Sequence, residues 1–246
     1  MITNDDGVEA PGLAAMVRAV VAGGFARRLL IVAPDRGRSE CSHAVTTGRG
    51  LNVRRRGDLA FNHGDVPLEV FETDGTPADC VRVATAAVDP DIDLVCSGIN
   101  AGANVGLDVY WSGTVAAARE AALNGIAAVA VSHYRHPDYG KTWDHVGAWM
   151  REVWDRTVLA GGAGLWNVNL PAFGPGRCDP SSAAAPEVVH APVETSPMIR
   201  RASIEEGVYG ATSGFHDRPR VEGSDVERCF AGAVTISELT IDPTRR

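Results

Sequence analysis

The chain has 246 residues, 45 % of them hydrophobic and 22 % charged, and a net charge of −8. Such a length suits one large α/β domain, or one domain with an appendage, and the composition is ordinary for a globular protein. The acidic balance, with no basic run beyond Arg54-Arg55-Arg56, argues against a nucleic-acid duplex or an anionic membrane as partner.

No apolar run is long enough to span a bilayer, and the N-terminus lacks the charged and apolar regions of a secretory leader. The five cysteines (Cys41, Cys80, Cys96, Cys178 and Cys229) are odd in number and widely spaced, without a Cys-x-x-Cys pair. Reduced thiols and a cytoplasmic location are therefore expected.

The chain opens with a short apolar stub, Met1-Ile2, and then Thr3-Asn4-Asp5-Asp6-Gly7. Neighbouring side chains of a strand point to opposite faces, so the two carboxylates converge only if the strand ends there, and Gly7 permits that turn. Pro11 opens a helix through Met16 and Val20 that Gly23-Gly24 ends. Leu29 to Ala33 is a continuous apolar run, the mark of a strand buried on both faces. A polar loop from Pro34 to His43 follows, and Ala44 to Pro67 reads as short strands and turns. Leu68 to Thr73 alternates as a strand does. Gly75-Thr76-Pro77-Ala78-Asp79 is a helix start with a cap, a first-position proline and an acidic third residue, leading a helix to about Val88.

Ile92 to Cys96 reads as the next buried strand, and Ser97 to Gly106 as a glycine-rich loop. Tyr110 to Thr114 leads into an alanine-rich helix from Val115 to Asn124, stopped by Gly125, and Ala127 to Ser132 is another strand. A helix over Trp143 to Leu159 and a strand over Leu165 to Leu170 complete the alternation. It predicts a Rossmann-like, doubly wound, mostly parallel sheet with helices on both faces. Beyond Pro171 prolines recur at Pro175, Pro180, Pro186, Pro192 and Pro197, and helical period is lost. Residues 1–170 are thus expected to form the core. Residues 171–246 are expected to form a β-rich arm of hairpins and extended segments, with late strands at Asp225–Phe230 and Ala233–Ser237.

Ligands of open α/β sheets bind at the carboxyl ends of the strands. Asp5, Asp6, Ser39 and Asn100 each follow a predicted strand closely, so four oxygen-bearing side chains from three strand ends could meet on one edge. Adjacent carboxylates repel unless a cation lies between them, and such a set suits a hard divalent ion. A plain surface turn or a helix cap accounts for Asp5-Asp6-Gly7 equally simply. The Ser112-Gly113-Thr114 start of a helix offers hydroxyls and free N–H groups to an anion such as phosphate, although Thr114 could equally serve only as a cap. Neither a nucleoside-triphosphate loop nor a Gly-x-Gly-x-x-Gly fingerprint is present. His43 could face the same site or be merely solvated. His133-x-x-His136 has a metal-like spacing but reads as a surface loop before Pro137. Cys41 and Cys96 fall near the site without a base partner.

Taken together, several stretches resemble the SurE family of metal-dependent nucleotidases, also called survival protein E. They are Thr-Asn-Asp-Asp-Gly at 3–7, Ala-Pro-Asp-Arg at 33–36 with Arg-Ser at 38–39, Gly-Thr-Pro-Ala-Asp-Cys-Val at 75–81, Ser-Gly-Ile-Asn-Ala-Gly-Ala-Asn-Val-Gly at 97–106 and Ser-Gly-Thr-Val-Ala-Ala-Ala at 112–118. The likeness covers the first half well, continues at Asn-Val-Asn-Leu-Pro, 167–171, and is faint from Gly223 to Leu239. It implies a Rossmann-like core with a C-terminal arm swapped between subunits of a homodimer or homotetramer. It further implies hydrolysis of nucleoside 5′- or 3′-monophosphates with one divalent ion per subunit, magnesium or manganese. Carried over residue by residue, the metal ligands are Asp5, Asp6, Ser39 and Asn100, with Asp5, Asp6 and Asn100 catalytic. Ser112, Gly113 and Thr114 bind phosphate, and His43 lines the site. Three departures stand out. Family members carry more apolar residues before the first motif, which leaves open a start upstream of Met1. Trp111 replaces the usual tyrosine, and Ala233 does so in the arm. A non-catalytic nucleotide-binding or regulatory protein on the same fold is the competing reading.

Overall fold

The computed structural model describes residues 1–39, 41–136, 142–161, 164–172, 185–198, 200–213 and 215–242. Cys178, Pro175, Pro180 and Pro137 lie outside the described residues.

The core is a parallel sheet wound in both directions from its middle. In chain order the first half holds β1 (Ile2–Thr3), α1 (Pro11–Gly23), β2 (Leu29–Pro34), β3 (Val53–Arg55), β4 (Leu68–Thr73) and α2 (Pro77–Val83), which a π-helical turn carries to Val88. β5 (Leu94–Asn100), α3 (Gly113–Leu123), β6 (Ala127–His133), α4 (Val146–Arg156) and β7 (Leu165–Leu170) follow. The last part holds β8 (Val188–His190), β9 (Arg200–Glu205), β10 (Val208–Ser213), α5 (Asp225–Ala231) and β11 (Val234–Leu239). The nine-stranded sheet runs β3-β4-β2-β1-β5-β6-β7-β11-β8. From β4 to β7 neighbouring strands are parallel, while β3 and β11 pair antiparallel at the two ends. Helices α1 and α4 pack together, as do α2 and α3. The chain leaves β1 in one direction and β5 in the other, so the switch of strand order falls between these two neighbours.

Local chemistry explains the elements. α2 begins with the expected capping box: Thr76 accepts from the Asp79 N–H, and Asp79 accepts from the Thr76 N–H. Gly24 closes α1 in the left-handed conformation, φ 72°. β2 and β7 are buried along their whole length, as continuous apolar runs in a parallel sheet require.

Several expectations need correction. Asp225–Phe230 is a helix, not a strand. Ser224 caps it by accepting from the Glu227 N–H, Asp225 and Glu227 favour its first turn, and Gly232 ends it at φ 109°. β5 does not stop at Cys96 but continues to Asn100, because its parallel pairing with β6 persists past a register shift at Gly98. Gly98 is forced there: a Cβ would lie 2.2 Å from the Val131 carbonyl oxygen. His133 is not on a surface loop. It is fully buried as the last residue of β6, within 2.7 Å of His145.

Beyond Pro171, β8 and β11 enter the central sheet and α5 packs on β7 and β11. A buried ion pair links this part to the rest: Arg218 donates to Asp108 at 2.8 Å, with both residues under 10 % exposed. Burial raises the Asp108 pKa, and Arg218 opposes that rise. Removing one member of such a pair strands the other charge in the interior, at a cost of about 3–5 kcal/mol. Asp108→Ala should therefore lower the melting temperature by roughly 6–20 °C, and Arg218→Ala in the same background should recover part of it. Additive losses in that double-mutant cycle, measured by thermal melts, would contradict the coupling.

Candidate active site

The first motif is held in place by its own backbone. The Asn4 side chain donates to the Gly7 carbonyl at 2.9 Å, and the Gly7 N–H donates back to Asn4 Oδ1 at 3.3 Å. The chain can then turn only because Gly7 takes φ 107°, against the backbone of Arg36. The Val8 N–H reaches the Pro34 carbonyl and the Arg38 N–H reaches the Asp5 carbonyl, at 2.8 and 2.7 Å. The ends of β1 and β2 are thus one unit, and Asp5 and Asp6 leave it at the switch point.

Asp5 is 5 % exposed, and its carboxylate accepts from the Thr114 hydroxyl at 2.5 Å. Burial pushes its pKa up to about 6; the Thr114 hydrogen bond pulls the other way and the neighbouring Asp6 adds to the rise. Asp6 is half-buried and accepts from the Ala101 N–H at 3.3 Å; burial raises its pKa too. Among the described residues, no arginine or lysine pairs with either carboxylate. Arg38, whose N–H meets the Asp5 carbonyl, places its side chain on Asp35 at 3.0 Å and on the Asp74 carbonyl at 2.7 Å.

Helix α3 arrives from the other side. Ser112 caps it, accepting from the Val115 N–H at 3.1 Å, so Thr114 is not the cap and its hydroxyl is free to serve Asp5. The helix start fits only because residue 113 is glycine. A Cβ there would lie 3.0 Å from Asp5 Cβ and 3.1 Å from Cys41 Sγ. The N–H groups of Gly113 and Thr114 are the first two of the helix and have no partner within it. Asn100 ends β5 and donates to the Gly102 carbonyl at 2.8 Å, which leaves its side-chain oxygen as an acceptor. Ser39 is exposed on the loop after β2. His43 does not turn toward the carboxylates: its Nε2 lies 2.7 Å from Glu120 on α3. Burial alone would raise the Glu120 pKa, but Arg82 and His43 together hold it below the usual value. Cys41 abuts the site, with its pKa raised by burial and by Asp5, which suits an inert thiol rather than a nucleophile. Cys96 is fully interior, opposite Ile2.

Sequence reasoning missed the residues that hold the loop after Asn100. Asn169 accepts from the Asn104 N–H at 2.8 Å, Asn167 donates to the Asn104 carbonyl at 2.8 Å, and Ser132 accepts from the Asn104 side chain at 2.7 Å. Asp225 accepts from the Gly106 N–H at 2.8 Å. The signal available was two asparagines in a strand otherwise continuous in apolar residues. Among the described residues, no group of three or more His, Cys, Asp and Glu side chains forms a metal cluster, so any cation here would depend on two carboxylates supplemented by neutral oxygens.

Comparison with known proteins adds a second line of support. The family described as Survival protein SurE matches residues 1–191. A protein of Nostoc sp. is 39 % identical over 244 residues, 98 % of this chain and 99 % of that one. The 5′-nucleotidase SurE of Neisseria gonorrhoeae is 36 % identical over 253 residues, covering 99 % of this chain and 93 % of its own. The crystal structure of the SurE protein from Aquifex aeolicus superposes with a TM-score of 0.77 at 26 % identity, covering 99 % of this chain and 94 % of that one.

The raised Asp5 pKa has a testable sign. The folded form keeps the Asp5 proton up to about pH 6, whereas the unfolded chain releases it near the ordinary aspartate value of 3.8. Between those values the unfolded state binds fewer protons, so stability falls as pH rises, by about 3 kcal/mol in total. Asp5→Asn keeps an oxygen for the Thr114 hydroxyl but has no charge to lose. In chelator, the stability of the variant relative to wild type should therefore increase from pH 4 to pH 7.5. A difference that stays flat across that range in thermal melts would mean that Asp5 is not buried as a carboxylate.

Proposed function

The chain belongs to the SurE family, and from that premise we propose that it is a phosphomonoesterase that hydrolyses nucleoside 5′-monophosphates to nucleoside and phosphate. The observation that carries the reading is the pair Asp5–Asp6, held at the switch of the sheet opposite the open N-terminus of α3, with no arginine or lysine among the described residues paired to either carboxylate.

The donor set suits a divalent metal, magnesium or manganese, because two raised carboxylates in a crowded pocket gain most from a cation and because the remaining oxygens are neutral. Asp5, Asp6, Ser39 and Asn100 would hold it. When bound, such an ion neutralises the pair, polarises a phosphoryl oxygen and lowers the pKa of an attacking water. The chain's own residues do the rest. The Gly113 and Thr114 N–H groups, at the positive end of the α3 dipole, receive the phosphate oxygens and the charge that develops on them. The Ser112 hydroxyl fixes those donors by capping the helix, and His43 supports them from behind through Glu120. Thr114 fixes the orientation of Asp5. Asp6, the more exposed carboxylate, orients the attacking water and takes its proton.

We read residues 1–170 as the catalytic part and 171–246 as the part that assembles subunits. Within the latter, β9 and β10 pair only with each other among the described strands. The hairpin carries Ile204, Val208 and Tyr209 at 73, 71 and 64 % exposure. A lone two-stranded ribbon is marginal in water, so exchange onto a partner subunit in a homodimer or homotetramer would cover it. Among the described residues no helix is long and apolar enough to cross a membrane.

Purified protein should release phosphate from nucleoside 5′-monophosphates when magnesium or manganese is supplied. Asp6→Asn nearly preserves volume and should cut that turnover at least about a hundredfold. Near-normal turnover of the variant at saturating manganese would remove Asp6 from the site.

Assembly has its own check. Light scattering at micromolar concentration should give a dimer or tetramer, and Ile204→Lys with Tyr209→Lys should shift it toward monomer. A wild-type monomer would contradict the exchange.

A further inference from the structure

A cleft of about 420 Å³ opens beside the carboxylate pair, on the face of the sheet that carries α1 and α4. Asp6, Pro11, Gly12, Ala101, Arg135 and Trp143 line it. The lining is thus largely carbon, with one carboxylate and one guanidinium laid on an indole.

The geometry of the Arg135–Trp143 pair is specific. The Arg135 guanidinium carbon lies 3.9 Å from the centre of the Trp143 ring, so cation and indole are stacked. Trp143 is braced from behind by His133, whose ring meets it edge-on with centroids 5.9 Å apart. Gly12 makes room in front. A Cβ there would lie 2.0 Å from the Ile99 carbonyl oxygen and 3.1 Å from the Trp143 ring edge, so the start of α1 can lie against the end of β5 with the indole over it only if residue 12 is glycine.

Among the described residues, Arg135 Nη1 donates to the Thr142 carbonyl at 2.9 Å, Nη2 has no hydrogen-bond partner and no carboxylate pairs with the guanidinium. Burial lowers its pKa to about 10, and it stays charged at neutral pH. A half-buried guanidinium stacked on an indole and short of one acceptor is suited to a flat, electron-rich ring that carries acceptors of its own.

We propose that this cleft receives the nucleobase of the substrate, stacked against the Arg135–Trp143 pair, and that these two residues set the preference for a nucleotide over a bare sugar phosphate. The inference rests on the phosphatase reading of the Asp5–Asp6 site. A nucleoside monophosphate is charged at one end and flat at the other, and the site has the same polarity. The N–H groups of α3 serve the phosphate on one side of Asp6, and the stacked pair serves the base on the other. A phosphate in the cleft would find mostly carbon and a guanidinium already laid flat on a ring. A base would find a stacking surface, and stacking tolerates any base because each has a π-face.

The test compares adenosine 5′-monophosphate with ribose 5-phosphate, which lacks the base, in wild type, Trp143→Ala, Trp143→Phe and Arg135→Ala. Loss of one aromatic stacking partner is worth about 5- to 100-fold in affinity. Trp143→Ala and Arg135→Ala should each raise KM for the nucleotide by about that factor. The ratio of kcat/KM for nucleotide over sugar phosphate should fall by the same factor, and Trp143→Phe should restore most of it. An unchanged ratio, with both substrates losing equally, would overturn the proposal and make the pair a structural element or a phosphate contact. Adenosine, which has no phosphate, gives a readout independent of turnover. Its calorimetric affinity should fall in Trp143→Ala, and equal affinity in both proteins would overturn the proposal even for an active phosphatase. If wild type cleaves neither substrate while adenosine still distinguishes the variants, the phosphatase reading fails and the base site stands.

Discussion

Everything at the candidate site follows from putting one carboxylate where a protein least tolerates it. Asp5 sits at the switch of a parallel sheet, nearly enclosed, with a second carboxylate next to it in sequence. Burying an ion without a partner costs several kcal/mol, and the Thr114 hydroxyl returns only part of that. The surroundings are arranged so that the carboxylate cannot escape. Its carbonyl is tied to the Arg38 N–H, its side chain to α3, and the glycine at 113 brings the helix backbone to within contact of its Cβ. A carboxylate buried this way costs stability by itself, and a cation that bound only the folded form would offset that cost.

The same constraint explains the division of the two faces. Helix α3 brings its N-terminus to Asp5 from the face it shares with α2, and α1 brings its own start to Asp6 from the face it shares with α4. One approach needs Gly113 and the other Gly12, because each helix start must come within van der Waals reach of the strand ends. The two glycines are separated by a hundred residues of chain yet solve one problem: how to seat a helix start at the end of a strand without filling the space a ligand needs. The polar face receives hydrogen-bonding N–H groups, and the aromatic face receives an indole.

How much of this could be read from sequence depends on the range of the interaction. Elements driven by local patterning were legible: the apolar run of β2, the capping box at Thr76–Asp79, and the alternation of β4 appear where those patterns predict. The expected meeting of Asp5, Asp6, Ser39 and Asn100 rested on the topology of a doubly wound sheet; Asp6 accepts from the Ala101 N–H, next to Asn100, while Ser39 is exposed on its loop. Contacts across the chain were not legible. Nothing in the string joins Thr114 to Asp5, His43 to Glu120, or Arg135 to Trp143. The segment from Asp225 to Phe230 was misread as a strand because a short run with apolar residues at Val226, Cys229 and Phe230 fits either period, and the cap at Ser224 was the deciding signal. β5 was cut short because glycine usually marks a loop, whereas Gly98 serves a close approach to β6 inside a strand.

The C-terminal third shows why composition alone could not assign its role. A proline-rich stretch without helical period suggests a loose arm, and the exposed β9–β10 ribbon fits that description. Yet Asp225 reaches back to the Gly106 N–H, Arg218 to Asp108, and β11 to β7, so the same region clamps the loop that follows Asn100. The asparagines of β7 grip that loop from the other side through Asn104. A ligand oxygen at Asn100 would therefore be positioned by contacts that converge from β7 and α5. Each of those contacts gives a buried donor an acceptor, with Asn167 Oδ1 left without a partner among the described residues, and such a network holds one geometry because any slip leaves a donor unpaired. The loop is rich in glycine and alanine, yet Ala103 and Val105 pack with Val226 and Phe230 in a small apolar cluster. Its order comes from that cluster and from hydrogen bonds to β6 and β7 on one side and to α5 of the C-terminal third on the other.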